Sequence, residues 1–94
     1  QPPLSNQPLR LGAMLSPEQQ QQLTRQVDDY MHRARRNLQS ASRLRLNANQ
    51  KETADQIEVF LKQAEAARAS DLEAARSLSE RAELLSRDLL QSLR

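Results

Sequence analysis

The side chains best suited to chemistry are concentrated in one basic stretch, residues 31–46, which reads MHRARRNLQSASRLRL. The stretch holds five arginines and the only histidine of the chain, His32. Arginine clusters bind phosphates and carboxylates, so this stretch could contact a nucleic acid, an anionic surface or an acidic protein. The alternative is an ordinary helix whose arginines face water, with His32 as a surface residue.

Helical geometry separates a buried role from an exposed role within this stretch. Apolar residues at spacings of three and four share one helix face. This apolar stripe comprises Leu23, Val27, Tyr30, Met31, Ala34, Leu38 and Ala41. At about 100° per residue, Arg25, Arg36 and Arg43 lie opposite the stripe. His32 lies close to them and Arg33 lies on a flank, so these five residues form the predicted basic contact surface.

No set of residues has the pattern of a catalytic or metal site. The serines have no His–carboxylate pair with which to form a triad. The carboxylates stand near basic residues, as in Glu58 with Lys62 and Glu83 with Arg87, and this spacing supports helices. The chain has no cysteine and one glycine, which excludes thiolate metal sites and a glycine-rich phosphate loop. We therefore predict a non-enzymatic protein without a cofactor or metal.

The elements that carry these residues are predicted to be helices. All four prolines lie at or before residue 17, and the remainder is rich in Ala, Leu, Gln, Glu and Arg. Capping boxes at residues 16–19 and 47–50 predict two helix starts, and Ser70 or Asp71 can cap a third helix. The predicted helices span about residues 17–46, 48–69 and 71–93.

Short connections between these helices predict that neighbours run antiparallel. The predicted fold class is all-α, an antiparallel up-down-up three-helix bundle over residues 16–94. A flexible Pro/Gln-rich tail, residues 1–15, precedes the bundle. The third helix has a near-heptad seam like that of a coiled coil, formed by Leu72, Ala75, Leu78, Ala82, Leu85, Leu89 and Leu93. The first helix is the longest, so its N-terminal end should overhang the others or pair with a second chain.

Two apolar residues, Val59 and Leu84, point away from the predicted core. If they lie together, they would add a small apolar patch to the contact surface.

Residues 25–46 carry a charge of +4 and residues 51–94 a charge of −2. Charge complementarity within the chain explains this asymmetry as well as an external partner does. No apolar run is long enough to span a membrane. An unidentified protein partner or self-association is therefore favoured over nucleic acid.

The stretch DLEAARSLSERAELL begins at Asp71 and places Ala75 and Ala82 seven residues apart. In this respect it resembles the second helix of a tetratricopeptide-type hairpin, in which a Gly–Asp turn precedes an aromatic residue and two such small residues. Ser70 stands in the place of the turn glycine and Leu72 in the place of the aromatic residue. The resemblance implies hairpin packing of the second and third helices, and no binding groove.

Residues 46–90 contain Asn-Gln ahead of the second helix, Gln-Ile within it and Asp-Leu-x-x-Ala at the start of the third. In these features the segment is similar to small uncharacterised bacterial proteins that are often predicted to be exported or lipid-anchored. The resemblance implies a location in the cell envelope and no known activity. The opening QPPLSNQPLRLG is like the tether that follows a bacterial export signal, which also favours export. A cytoplasmic location stays open as the alternative.

Overall fold

The computed structural model describes residues 15–93, so most of the predicted tail lies outside the described residues. It confirms the all-α prediction with three helices, α1 (Pro17–Ser42), α2 (Ala48–Ala67) and α3 (Leu72–Ser92). Within the described residues there is no β-strand.

Each helix begins where a polar side chain satisfies backbone N–H groups that have no partner inside the helix. Ser16 Oγ accepts from the backbone N–H of Gln19 at 3.1 Å, and the Gln19 side chain accepts from the N–H of Ser16 at 3.0 Å. Asn47 and Gln50 make the same reciprocal pair at 2.8 and 2.9 Å. Asp71, rather than Ser70, caps α3 by accepting from the N–H of Ala74. These starts follow from the local sequence alone.

The first helix ends earlier than the sequence indicates, at Ser42 instead of about residue 46. The Ser42 hydroxyl donates to the carbonyl of Gln39, and the N–H of Leu44 donates to the carbonyl of Ala41, so the last turn closes on itself. The following residues must reverse the chain direction before Asn47, which is in the extended conformation required of an N-cap. The need to reverse the chain direction therefore outweighs the helix propensity of the residues that follow Ser42.

The helices run up, down and up, as two side-chain contacts between different helices show. Asp28, in the first half of α1, pairs with Arg68 at the end of α2. Gln50, near the start of α2, bonds to Ser92 at the end of α3. Both neighbouring pairs of helices are therefore antiparallel, and α1 and α3 are parallel.

The central helix of the bundle is α3, which packs closely on α1 and also along α2, whereas α1 and α2 touch each other much less. Its fully buried positions are occupied by small residues. Among them are Ala75, Ser79, Ala82 and Ser86, at heptad spacing. Their counterparts on α1 are Val27, Met31, Ala34 and Ala41, which are all buried. Small side chains let the two helix backbones approach each other, so α1 and α3 share the tightest seam.

This seam corrects part of the predicted register of α3. Leu78 and Leu85 were expected on its central line, but they are only partly buried at the edge of the core. Ser79 and Ser86 are fully buried instead. The reason is that α3 contacts two helices, so its buried surface is wider than one stripe. Leu85 lies on the side that faces α2, where it borders a depression with Gln50.

The N-terminal turns of α1 extend away from the core. Residues 17–22 are all exposed, and the first buried residue of the helix is Val27. Leu15 and Gln20 nevertheless line a depression together with residues 68–73, which span the α2–α3 connection. The overhang of the longest helix stays a prediction.

Candidate functional site

The five predicted basic contact residues of α1 are all exposed. Arg33 and Arg36 face a groove between α1 and α3. Arg25 lies two turns earlier on the exposed N-terminal part of α1, and Arg43 caps the opposite end of the helix. His32 is exposed. Of these five predicted contact residues, only Arg33 and Arg36 line this groove, whereas Arg25, His32 and Arg43 are exposed along the same helix outside it.

This groove, named here the arginine groove, has a volume of about 340 Å³. It is lined by Arg33, Arg36, Asn37, Ser40, Glu83 and Arg87. Four of these residues come from two successive turns of α1, and two come from α3. The parallel packing of α1 on α3 brings them together, because it sets the C-terminal half of α1 beside the C-terminal half of α3.

An ion pair between a buried carboxylate and an exposed guanidinium forms one wall of the arginine groove. Glu83 is only 4% exposed, and its carboxylate accepts two bonds from Arg87: Nε to Oε2 at 3.2 Å and Nη2 to Oε1 at 2.9 Å. The hydrogen bonds with Glu83, and next its negative charge, raise the pKa of Arg87 above its ordinary value. Burial of the carboxylate is tolerated because the bidentate pair compensates its charge. The Arg87 guanidinium is thereby held in one orientation.

A chain of hydrogen bonds fixes the base of the arginine groove. The Asn37 side-chain amide donates to Ser86 Oγ at 3.1 Å, and Ser86 Oγ donates to the carbonyl of Glu83 at 2.7 Å. The Ser86 hydroxyl is fully buried, so both of its bonds are sheltered from water. The bonds tie α1 to α3 at the level of the ion pair and set the rotation of one helix relative to the other.

The ion pairs of the structure lie both within helices and between them. Glu83–Arg87 forms as predicted. Asp28 and Glu65, however, pair across helices, with Arg68 at 2.7 Å and Arg35 at 3.9 Å. Among residues 15–93, neither Arg33 nor Arg36 has an ion-pair partner. The predicted pair of Glu58 with Lys62 does not form an ion pair in this part of the chain. Both groove arginines of α1 are thus available to a ligand.

A second groove, named here the apolar groove, separates α1 from α2. It has a volume of about 330 Å³ and is lined by Arg35, Leu38, Glu58, Leu61, Lys62 and Glu65. Leu38 and Leu61 provide its apolar surface, and charged residues of both signs form its rim. The groove is open because α1 and α2 both pack on α3 and make little contact with each other.

The two predicted apolar contact residues are exposed. Val59 is 49% exposed and Leu84 is 47% exposed, so both point away from the core. Leu44 is exposed to the same degree, 50%, because α1 ends before it. Neither Val59 nor Leu84 lines the arginine groove or the apolar groove.

Sequence reasoning missed four of the six residues of the arginine groove, Asn37, Ser40, Glu83 and Arg87. The spacing of Glu83 and Arg87 predicted their pairing, but no sequence signal showed that the pair faces α1. Within residues 15–93, no three acidic or histidine side chains converge as metal ligands would. In the same part of the chain, no helix has the length and apolar character needed to cross a membrane.

The arginine groove and the apolar groove are therefore the candidate sites, one cationic and one apolar with a charged rim. When the chain is compared with known proteins, no family model, curated protein or solved structure matches it.

Proposed function

We propose that this chain is a non-enzymatic helical interaction module of the bacterial cell envelope, and that its partner occupies the apolar groove. The observation that carries the proposal is the unequal packing of the three helices. Because α3 lies against both other helices, α1 and α2 leave Leu38 at the edge of an open groove instead of covering it.

The apolar groove suits an amphipathic helix. A partner with an apolar stripe would cover the partly buried Leu38, whereas Leu61, on the facing side of the groove, is only 6% exposed and forms its floor. The rim would contribute specificity, since Arg35 and Lys62 are basic and the glutamates beside them are acidic. The Arg35–Glu65 pair across the groove is long, at 3.9 Å, and both side chains are more than half exposed. Such a pair is weak, so a partner can displace it.

The experiment uses the absence of cysteine from the chain. A single cysteine replaces Lys62 at the rim of the groove and carries a short photocrosslinker in the cells that make the protein. Gln63→Cys is the matched control, because Gln63 is the neighbouring exposed residue on α2 and does not line the groove. The expected result is one discrete adduct from position 62 and little from position 63. No adduct from either position, or equal adducts from both, would reject the proposal.

The mass of the adduct also identifies the type of partner. An adduct of twice the chain mass would make the partner a second copy of the chain, bound at the apolar groove instead of at the overhanging end of α1. Sedimentation of the purified protein over a concentration series then has to show a dimer.

A cell-fractionation experiment tests the envelope location. This location rests on the resemblance of residues 46–90 to exported bacterial proteins and on the Pro/Gln-rich opening of the chain. Recovery of the protein in the cytoplasm would contradict it.

A second candidate function is binding of a nucleic acid or an anionic surface by the basic face of α1. The observation in its favour is that Arg33 and Arg36 line one groove together with Arg87. Binding to a nonspecific oligonucleotide at several salt concentrations tests it. Steep salt dependence, with loss of binding in Arg36→Glu plus Arg43→Glu, would support this function. No binding at low salt would reject it.

A further inference from the structure

The arginine groove combines features that an extended basic surface lacks. Arg33 and Arg36 lie one turn apart on α1, and Arg87 reaches the same groove from α3. Three guanidinium groups from two helices thus border a single depression of about 340 Å³. Such convergence concentrates positive charge at one point, whereas a helix face spreads it along its length.

One of the three guanidinium groups is held in place before any ligand arrives. Arg87 uses Nε and Nη2 to bind the Glu83 carboxylate, which is buried. A guanidinium has five N–H donors, so about three remain for another acceptor. Because its orientation is already set, Arg87 loses little conformational entropy on binding a ligand.

The charge of the groove is not balanced by its own residues. Its three arginines and one carboxylate leave a net charge of +2. Glu83 is engaged by Arg87, and within residues 15–93 Arg33 and Arg36 form no ion pair. Ser40 adds a hydroxyl at the rim that can donate, and the Asn37 amide has a second N–H besides the one that it donates to Ser86. A doubly charged anion with several acceptor oxygens would satisfy both the charge and the free donors.

We propose that the arginine groove is a binding site for a phosphate group, carried as inorganic phosphate or as a phosphate monoester. A phosphate monoester has a charge of about −1.5 to −2 at neutral pH and three strong acceptor oxygens. These properties match the net charge of the groove and the fork-shaped donors of its arginines better than a carboxylate does, which has one charge and two oxygens. The proposal does not depend on the apolar groove, which lies on the other side of α1.

The test is calorimetric titration of the whole chain at low salt with two probes, inorganic phosphate and phosphoserine. Saturable binding with one site per chain is expected for at least one of them. Arg33→Gln plus Arg36→Gln should weaken this binding at least tenfold, roughly the effect of losing one charged hydrogen bond. Arg25→Gln plus Arg43→Gln is the matched control. It removes the same charge from the same helix outside the groove, and should weaken binding less than about twofold.

The outcomes separate the sources of the phosphate and the competing explanations. Equal affinity for both probes points to the free ion, and preference for phosphoserine points to a phosphorylated partner; either supports the site. Equal weakening in the two double variants would overturn it in favour of a diffuse basic surface. Absence of binding to both probes would also overturn it. Circular dichroism of each variant confirms that the bundle remains folded, which is expected because all four arginines are exposed.

Discussion

Replacing Ser79 by leucine should destabilise the bundle, although leucine is the better helix former and the more apolar residue. Ser79 is fully buried in the seam that α3 makes with the rest of the bundle. Its hydroxyl donates to the carbonyl of Arg76 in the same helix at 3.0 Å, so its removal leaves no partner on another helix unsatisfied. The expected loss of stability in Ser79→Leu therefore comes only from the added side-chain volume.

The magnitude follows from the packing at this position. Leucine adds about two non-hydrogen atoms where neighbouring backbones approach through small side chains, and overpacking of this kind typically costs about 1–3 kcal/mol. For a domain of this size, 1 kcal/mol lowers the melting temperature by about 4–8 °C. The expected decrease is thus about 4–24 °C, a large part of the total stability of a small bundle.

Thermal unfolding followed by circular dichroism at 222 nm measures this change. Ser77→Leu is the matched control, because it is the same substitution two residues earlier on α3 at an exposed position. It should leave the free energy of unfolding within about 0.5 kcal/mol of the wild type. If Ser79→Leu melts like the wild type, or if both variants lose the same stability, the small-residue seam described for α3 is wrong.

Two further pairs of variants test the burial of Leu85 and the N-cap of α2. Leu85→Ala should cost about 1–3 kcal/mol, a range lower at both ends than the ~2–5 kcal/mol typical of a fully buried leucine, since Leu85 is only partly buried. The adjacent exposed Leu84→Ala should change the stability by less than about 0.5 kcal/mol. Equal losses in urea unfolding of these two variants would contradict the register of α3. Asn47→Ala removes the N-cap of α2 and should cost about 0.5–2 kcal/mol, whereas Asn49→Ala should be nearly neutral. The same urea titrations measure both asparagine variants, and a neutral Asn47→Ala would mean that the cap contributes nothing.

The helix starts could be predicted from sequence because each depends on residues within one turn. Ser16 and Asn47 each have a glutamine three residues later, and the two capping boxes form at those positions. The end of α1 was not predictable in the same way. Residues 43–46 favour a helix locally, but the chain must turn there to reach α2, and this requirement comes from the tertiary structure.

The register of α3 and the composition of the arginine groove also depend on the tertiary structure. A single-helix wheel has one centre, whereas α3 contacts two helices and buries a wider surface. Ser79 and Ser86 therefore lie inside the seam, while Leu78 lies at its edge. Likewise, the sequence indicated that Glu83 pairs with Arg87, but only the relative rotation of α1 and α3 places that pair beside the arginines of α1.

The measurement that tests the proposed interaction module most directly is a photocrosslinking profile around α2 in the cells that make the protein. Single cysteines replace three residues that line the apolar groove, Glu58, Lys62 and Glu65, and three exposed residues that do not, Gln56, Val59 and Gln63. Adducts to one partner are expected at the three groove positions, with little adduct at the other three. Equal yields at all six positions, or the highest yields at the three positions outside the groove, would contradict the proposal.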